Sequence, residues 1–167
     1  MGRTVLFKGN PMHLVGPALE LGQPVPDVTL CKADFSPCSC SDMRGKVVLI
    51  SVTPSLDTPV CDLQAKRFND EAAKLTDVVV ANVSVDLPPA LKRWCGANGA
   101  ENIITVSDHR DRAFGTGWGV LIDELKLLAR AVFVVGKDGT LLYQEIVPEV
   151  TSSPDFDAAL AAVKAAV

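Results

Sequence analysis

No run of basic residues occurs in this chain, so the electrostatic footprint of a nucleic-acid binder is missing. Its 16 Lys and Arg are outnumbered by 20 Asp and Glu, giving a formal net charge of -4. A small substrate or a protein partner suits that mild acidity better than a polyanion. Residues 1–20 contain no apolar core of a secretory signal. Met1-Gly2 opens like a myristoylation site, but Leu6 stands where Ser or Thr is required. The apolar stretch around Leu127 is broken by Arg130 and is too short to span a bilayer. No membrane partner is expected, and the cytoplasm is the expected compartment. Internal repeats and low-complexity linkers are also lacking, so residues 1–167 are expected to form a single domain. A hydrophobic content of 48% is enough to fill its core.

Histidine is nearly absent: His13 and His109 are the two in the chain, and neither has the setting of a catalytic base. Cysteine is better supplied. Five is an odd number, so a fully paired disulfide framework fails. In a reducing compartment such thiols are catalytic, redox-active or simply buried.

The hydrophobic pattern lays out alternating elements. Thr4 to Lys8 and Met12 to Val15 flank Gly9-Asn10-Pro11 and predict an N-terminal hairpin. Val28 to Cys31 is a short strand, and Lys46 to Val52 is a continuous apolar one. Val60 to Leu75 reads as a helix, Val78 to Val85 as a second buried strand, and Leu87 to Cys95 as a short helix ended by Gly96. Ile103 to Val106 is a strand, with a short helix after Asp111. Ala131 to Val135 turns at Lys137-Asp138-Gly139 into Leu141 to Ile146, a hairpin. Ser153 as N-cap and Pro154 as first helical residue open a C-terminal helix. Strands alternating with helices predict an α/β fold with a mainly parallel central sheet, an antiparallel edge, and helices on both faces.

The segment richest in chemistry is Pro54-Ser55-Leu56-Asp57-Thr58-Pro59-Val60-Cys61, between a buried strand and an amphipathic helix. Cys61, Ala65, Phe68, Ala72 and Leu75 share one helix face. Thr58 is a good N-cap and Pro59 a good first residue, which makes Cys61 the third helical residue. First-turn N–H groups lack carbonyl partners, and the helix dipole is positive there. Both favour a thiolate over a thiol. A free cysteine on a buried helix face is often a plain core residue. Here cap, proline and cysteine coincide at the carboxyl end of a strand, where open α/β sheets place ligands, and they favour a reactive group.

Three chemistries could use that thiolate. A disulfide reductase wants Cys-x-x-Cys at this junction, and Thr58 occupies the first position. A cysteine hydrolase wants a histidine base. A peroxidase needs a thiolate, hydrogen bonds for two peroxide oxygens, and a route back from sulfenic acid.

Pro54-x-x-x-Thr58-x-x-Cys61 resembles the active-site motif of the peroxiredoxins, and the full string from Pro54 to Cys61 is similar to their thiol peroxidase subfamily, the atypical two-cysteine peroxiredoxins. The likeness extends through Phe7-Lys8-Gly9-Asn10-Pro11, Arg67-Phe68-Asn69, Ser84-Val85-Asp86-Leu87-Pro88, Trp94-Cys95-Gly96, Ala129-Arg130-Ala131-Val132 and Pro154-Asp155-Phe156. It implies a thioredoxin-like fold with an N-terminal β-hairpin, a homodimer, and a thiol-dependent peroxidase reducing hydrogen peroxide and organic hydroperoxides. It implies no cofactor and no metal. Cys61 would be the peroxidatic cysteine. Thr58 would hydrogen-bond the thiolate and the peroxide, Pro54 would shield the sulfur from water, and Arg130 would stabilise the thiolate and the charge developing on the peroxide. Arg130 also stands out unaided, as a lone arginine heading the apolar run Ala131 to Val135. A charge snorkelling from a strand end would explain it alone, but a thiolate needing a fixed, always-charged partner explains it better.

The resemblance assigns Cys95 as the resolving cysteine, condensing with the Cys61 sulfenic acid to a disulfide that thioredoxin reduces. Gly96, Asn98 and Gly99 make the end of its helix easy to unwind. A disulfide needs Cα atoms within about 7 Å, while peroxide attack needs a shielded sulfur. Local unwinding at both cysteines is therefore expected, with Trp94 either clamping the short helix or simply packing in the core. Cys31, Cys38 and Cys40 are read as small core residues. The Cys38-Ser39-Cys40 spacing is too close for a usual zinc pair. A non-enzymatic redox sensor would use the same thiol chemistry and stands as the alternative to an enzyme.

Overall fold

The structure, a computed structural model, describes residues 2–167. Strands β1 (Thr4–Phe7) and β2 (Asn10–Val15) form the N-terminal hairpin. It turns through Lys8 and Gly9, both at positive φ, which suits a two-residue hairpin loop. β3 (Thr29–Lys32) and β4 (Pro37–Ser39) form a second hairpin, followed by a 3-10 turn at Cys40–Met43. Then come β5 (Val47–Val52), α1 (Pro59–Ala72), β6 (Val78–Ser84), α2 (Pro88–Asn98), β7 (Ile104–Ser107), α3 (Ala113–Gly117), β8 (Leu121–Ile122), β9 (Ala131–Val135), β10 (Leu141–Ile146) and α4 (Phe156–Ala166).

The main sheet has the order β10-β9-β5-β6-β7-β3-β4. It is mixed. β5, β6 and β7 pair in parallel through the α1 and α2 crossovers, while β9 on one side and β3 on the other pair antiparallel to them. Strand alternation identifies the crossover units, but the flanking strands arrive through hairpins and loops and are free to reverse. The helices are also unevenly divided. α1, α2 and α4 pack on one face with Val47, Leu49, Val80, Val132 and Val134. The other face holds Val48, Ile50, Val52, Val83 and Phe133, covered by Phe114 of α3, by Trp118, and by the small sheet β1-β2-β8. All six β5 residues are buried because alternate side chains feed the two cores.

Several expected boundaries move, and β2 begins at Asn10 rather than Met12. α2 does not stop at Gly96; it runs to Asn98 and is closed by Gly99 in the left-handed region, a usual helix C-cap. α1 ends at Ala72, so Leu75 lies beyond it. α4 is capped by Asp155, whose side chain accepts from the Ala158 N–H, rather than by Ser153. Among the described residues no helix is long and apolar enough to cross a membrane.

The hairpin tip is fastened to the segment between β10 and α4. Leu6 N–H donates to Pro148 O at 2.7 Å, and Val150 N–H donates to Leu6 O at 2.8 Å. The Glu149 carboxylate accepts from Gly9 N–H (2.8 Å), Lys8 N–H (3.2 Å), Thr151 N–H (3.0 Å) and Thr151 Oγ1 (2.8 Å). These donors, the Thr151 N–H foremost and Gly9 next, hold its carboxyl at about 2, below the ordinary 4.5. A carboxyl depressed on folding stabilises the fold fully above its unfolded value, and that contribution fades as pH falls through the folded value. The amide proton shifts of Gly9 and Thr151 should therefore titrate together in an NMR acid titration, with a midpoint near the folded value of about 2. A midpoint near the ordinary 4.5 would show that the clamp is not formed in solution.

Candidate active site

The apolar rows on the α1 face change character at the carboxyl end of the sheet. Val47 and Leu49 are followed along β5 by Ser51, and Val80 along β6 by Asn82. Ser51 and Asn82 are register partners. The β5–β9 register, Ser51 with Val132 and Val52 with Ala131, brings Arg130 level with Thr53. The polar ends of three neighbouring strands thus gather under the first turn of α1. They are joined by hydrogen bonds: Ser51 Oγ donates to Asn82 Oδ1 at 2.9 Å, and Asn82 Nδ2 donates to Thr53 Oγ1 at 3.1 Å.

Cys61 is fully buried at the third position of α1, after Thr58 as N-cap and Pro59 as first residue. Arg130, 3% exposed, lies beneath it. Its Nη2 donates to Cys61 Sγ at 3.4 Å, its Nη1 to Gln64 Oε1 at 3.0 Å, and its Nε to Val150 O at 2.7 Å. Gln64, one turn after Cys61 and also fully buried, donates in turn to Ser51 Oγ at 2.8 Å. Among the described residues no buried side-chain nitrogen or oxygen is left without a partner. A cation enclosed in this way is held in place by acceptors on α1 and on the segment after β10, and its charge and an N–H both face the sulfur.

The loop from Pro54 to Thr58 is shaped by Asp86. Its carboxylate accepts from Ser55 Oγ (2.7 Å), Leu56 N–H (2.8 Å) and Ser84 Oγ (2.9 Å). Pro54 is buried. Thr58 is exposed, and its hydroxyl donates to Ser55 O at 2.8 Å rather than to Cys61, so here it closes the turn that precedes the helix. Asp57 pairs with Arg93 of α2 at 2.9 Å on the surface.

Cys95 sits on α2, partly buried, with Sγ 3.4 Å from Thr105 Oγ1 on β7. All five cysteines are free thiols, so Cys61 and Cys95 are not joined here. What links their helices is Trp94, packed in the core cluster with Leu56, Ala65 and Phe68, whose indole N–H donates to Asp62 Oδ1 at 2.8 Å. Burial alone would raise the Asp62 carboxyl, but the Lys66 ammonium and the Trp94 indole outweigh it and hold the group below its usual range. Trp94 is thus a core residue and a cross-link between the two helices at once.

Cys38 and Cys40 lie in the core beside Met43 and Val48. Burial pushes both thiols up, Cys40 to about 11, which makes them poor nucleophiles near neutrality. Cys31, also buried, lines a surface cavity of about 230 Å³ with Phe35, Ser107 and Arg110.

The structure thus brings together Cys61 and Arg130, with Pro54 and Thr58 on the adjoining loop, and leaves Cys95 on a neighbouring helix. Sequence reasoning missed Gln64, Asp86 and the Val150 carbonyl. A glutamine on the buried face of α1, three residues from Cys61, was a legible signal for the first. Asp86 lies in the Ser84 to Pro88 segment that carries the family resemblance, but its hold on Ser55 and Leu56, like that of the Val150 carbonyl on Arg130, depends on contacts distant in sequence.

Residues 20–160 match the Redoxin family. The chain is 51% identical over 164 residues to a thiol peroxidase of Halalkalibacterium halodurans, covering 98% of this chain and 99% of that one. It is 50% identical over 163 residues to a thiol peroxidase of Bacillus subtilis, covering 98% of each. Among solved structures, a peroxiredoxin-like protein from Aquifex aeolicus superimposes with a TM-score of 0.94 at 40% identity, covering 100% of this chain and 99% of that one. A thiol peroxidase from Chromobacterium violaceum shares the fold with a TM-score of 0.87 at 21% identity, covering 99% of this chain and 98% of that one.

Proposed function

Because the chain belongs to the Redoxin family and is a thiol-dependent peroxidase of the peroxiredoxin group, we propose that Cys61 is its peroxidatic cysteine, Cys95 its resolving cysteine, and Arg130, Thr58 and Pro54 the groups that prepare the pocket. The observation that carries this assignment is the Arg130 Nη2 donor 3.4 Å from the fully buried Cys61 sulfur. The names of the relatives favour turnover over a sensor that reacts once and signals.

The Cys61 thiolate attacks one oxygen of the hydroperoxide. An S–O bond forms as the O–O bond breaks, and the other oxygen leaves as water or an alcohol after taking a proton. Arg130 faces the sulfur and is placed to stabilise charge as it passes to the leaving oxygen. Pro54 limits water at the sulfur. Thr58 reaches the peroxide by turning its hydroxyl away from Ser55 O. The Cys95 thiolate then attacks the Cys61 sulfenic sulfur; the S–S bond forms as the S–O bond breaks, and the oxygen leaves as water after taking a proton. An external dithiol, thioredoxin in the proposed cycle, reduces the disulfide back to two thiols. The proposed working form is a single-domain chain in a homodimer, and the proposed compartment is the cytoplasm.

Resolution requires movement. Cys61 is sealed under α1, and Cys95 faces Thr105 on β7. Release of the Trp94–Asp62 bond and unwinding of the start of α1 and the end of α2 let the two sulfurs meet. Crystal structures of the reduced and oxidised protein should accordingly differ at residues 58–64 and 94–99. Superimposable backbones there would contradict the unwinding step.

Thioredoxin-coupled consumption of hydrogen peroxide and of an organic hydroperoxide tests the assignment. Cys61→Ser should abolish turnover. Cys95→Ser should still consume about one equivalent of peroxide and then stop recycling. Peptide mapping of the oxidised protein should find a Cys61–Cys95 link, and a link from Cys61 to Cys31 or Cys38 would overturn the resolving role.

A further inference from the structure

We infer that Glu149 is a positioning residue for the peroxide step: by clamping the tip of the N-terminal hairpin to the 147–151 segment, it fixes the Val150 carbonyl and so the Arg130 guanidinium that faces Cys61. The inference rests on the peroxidatic assignment of Cys61.

Val150 links the hairpin to Arg130. Its carbonyl receives Arg130 Nε at 2.7 Å, and its N–H donates to Leu6 O at 2.8 Å. The same residue therefore joins the hairpin on one side and the catalytic cation on the other. The rest of the segment repeats the pattern. Val147 N–H donates to Arg130 O at 2.9 Å, and Leu6 N–H donates to Pro148 O at 2.7 Å. Arg130 is thus held by backbone and by side chain to one short stretch, and that stretch is held to the hairpin.

The backbone bonds alone make a weak joint. Leu6 and Glu149 form an isolated bridge outside any ladder, and Pro148 has no N–H to contribute. Glu149 supplies the remainder. Its carboxylate grips Lys8 and Gly9 at the hairpin turn and Thr151 in its own segment, four donors on one group. Those donors favour the charged form and hold its carboxyl well below the ordinary value. A guanidinium is a rigid planar fork, so movement of the acceptor on Nε tilts the donor aimed at the sulfur. Misplacement of a catalytic group by an ångström can cost up to about a hundredfold in rate.

A residue that merely staples the hairpin would change stability without favouring either half of the catalytic cycle. In a two-step cycle of this kind, kcat/KM for peroxide reports the peroxide half-reaction, and kcat/KM for the reductant reports disulfide reduction. Steady-state kinetics with hydrogen peroxide and dithiothreitol, run on full-length protein, therefore separate the roles. Glu149→Ala should lower kcat/KM for hydrogen peroxide by about tenfold and leave kcat/KM for dithiothreitol unchanged. Glu149→Gln, which keeps a carbonyl acceptor, should recover to within about threefold of wild type. Equal losses in both constants, or none in either, would overturn the inference. If Glu149→Ala does not fold, Thr151→Val decides: it removes the hydroxyl donor to the carboxylate and should lower the peroxide constant alone, whereas wild-type values of both constants would overturn the inference. A wild-type protein that fails to turn over peroxide, or a Cys61→Ser variant that still does, would overturn the assignment beneath it instead.

Discussion

Burying a guanidinium is costly unless each of its faces finds an acceptor. Arg130 is 3% exposed, and its three nitrogens are answered by a thiol and a side-chain amide of α1 and by a backbone carbonyl after β10. Much of the surrounding architecture meets that requirement. Gln64 must lie on the same face of α1 as Cys61, one turn on. The β5–β9 register must deliver Arg130 beneath that turn. The segment after β10 must return a carbonyl to Nε. The helix start that exposes free N–H groups and the cation that faces the sulfur are separate devices, and they converge on one atom.

The same constraint explains why polar residues occupy strands that are otherwise apolar. Ser51, Asn82 and Thr53 lie on buried strand ends where valine would pack well. There they pass hydrogen bonds away from Gln64 across β5 and β6. Replacing one of them with an apolar residue would leave a neighbour unsatisfied, which costs more than the bond itself is worth. Asp86 plays the corresponding part for the loop. It fixes Ser55 and Leu56 so that Thr58 and Pro59 begin the helix at one place. α1 is anchored through this network, while the Cys95 end of α2 finishes at a glycine cap.

Much of this was legible in the sequence, for identifiable reasons. The place of Cys61 at the start of α1 could be read because cap, proline and cysteine are local features of a dozen residues. Arg130 could be read because a charge heading an apolar run is conspicuous. The α/β crossovers followed from periodicity. The reversal of β3 and β9 did not, because nothing local to a strand fixes its direction once it lies outside a crossover. The cap at Asp155 was misplaced onto Ser153, since the chain offers two acceptable cap residues close together. Thr58 shows the opposite limit. Its place was right, but its hydroxyl is turned to Ser55 O, a rotamer that no sequence pattern fixes. The contacts of Asp86 and Val150 are matters of register and return path, visible only once the sheet is assembled.

The central claim is that Arg130 acts through a fixed fork that serves Cys61, Gln64 and Val150 together, and not through its charge alone. Arg130→Lys keeps the charge but cannot reach three acceptors in one plane. The most direct measurement is the single-turnover rate at which Cys61 is oxidised by hydrogen peroxide in that variant. The account predicts a loss on the order of a hundredfold, the scale expected when a preorganised donor is removed from a developing charge. A lysine variant that reacts at the wild-type rate would contradict it.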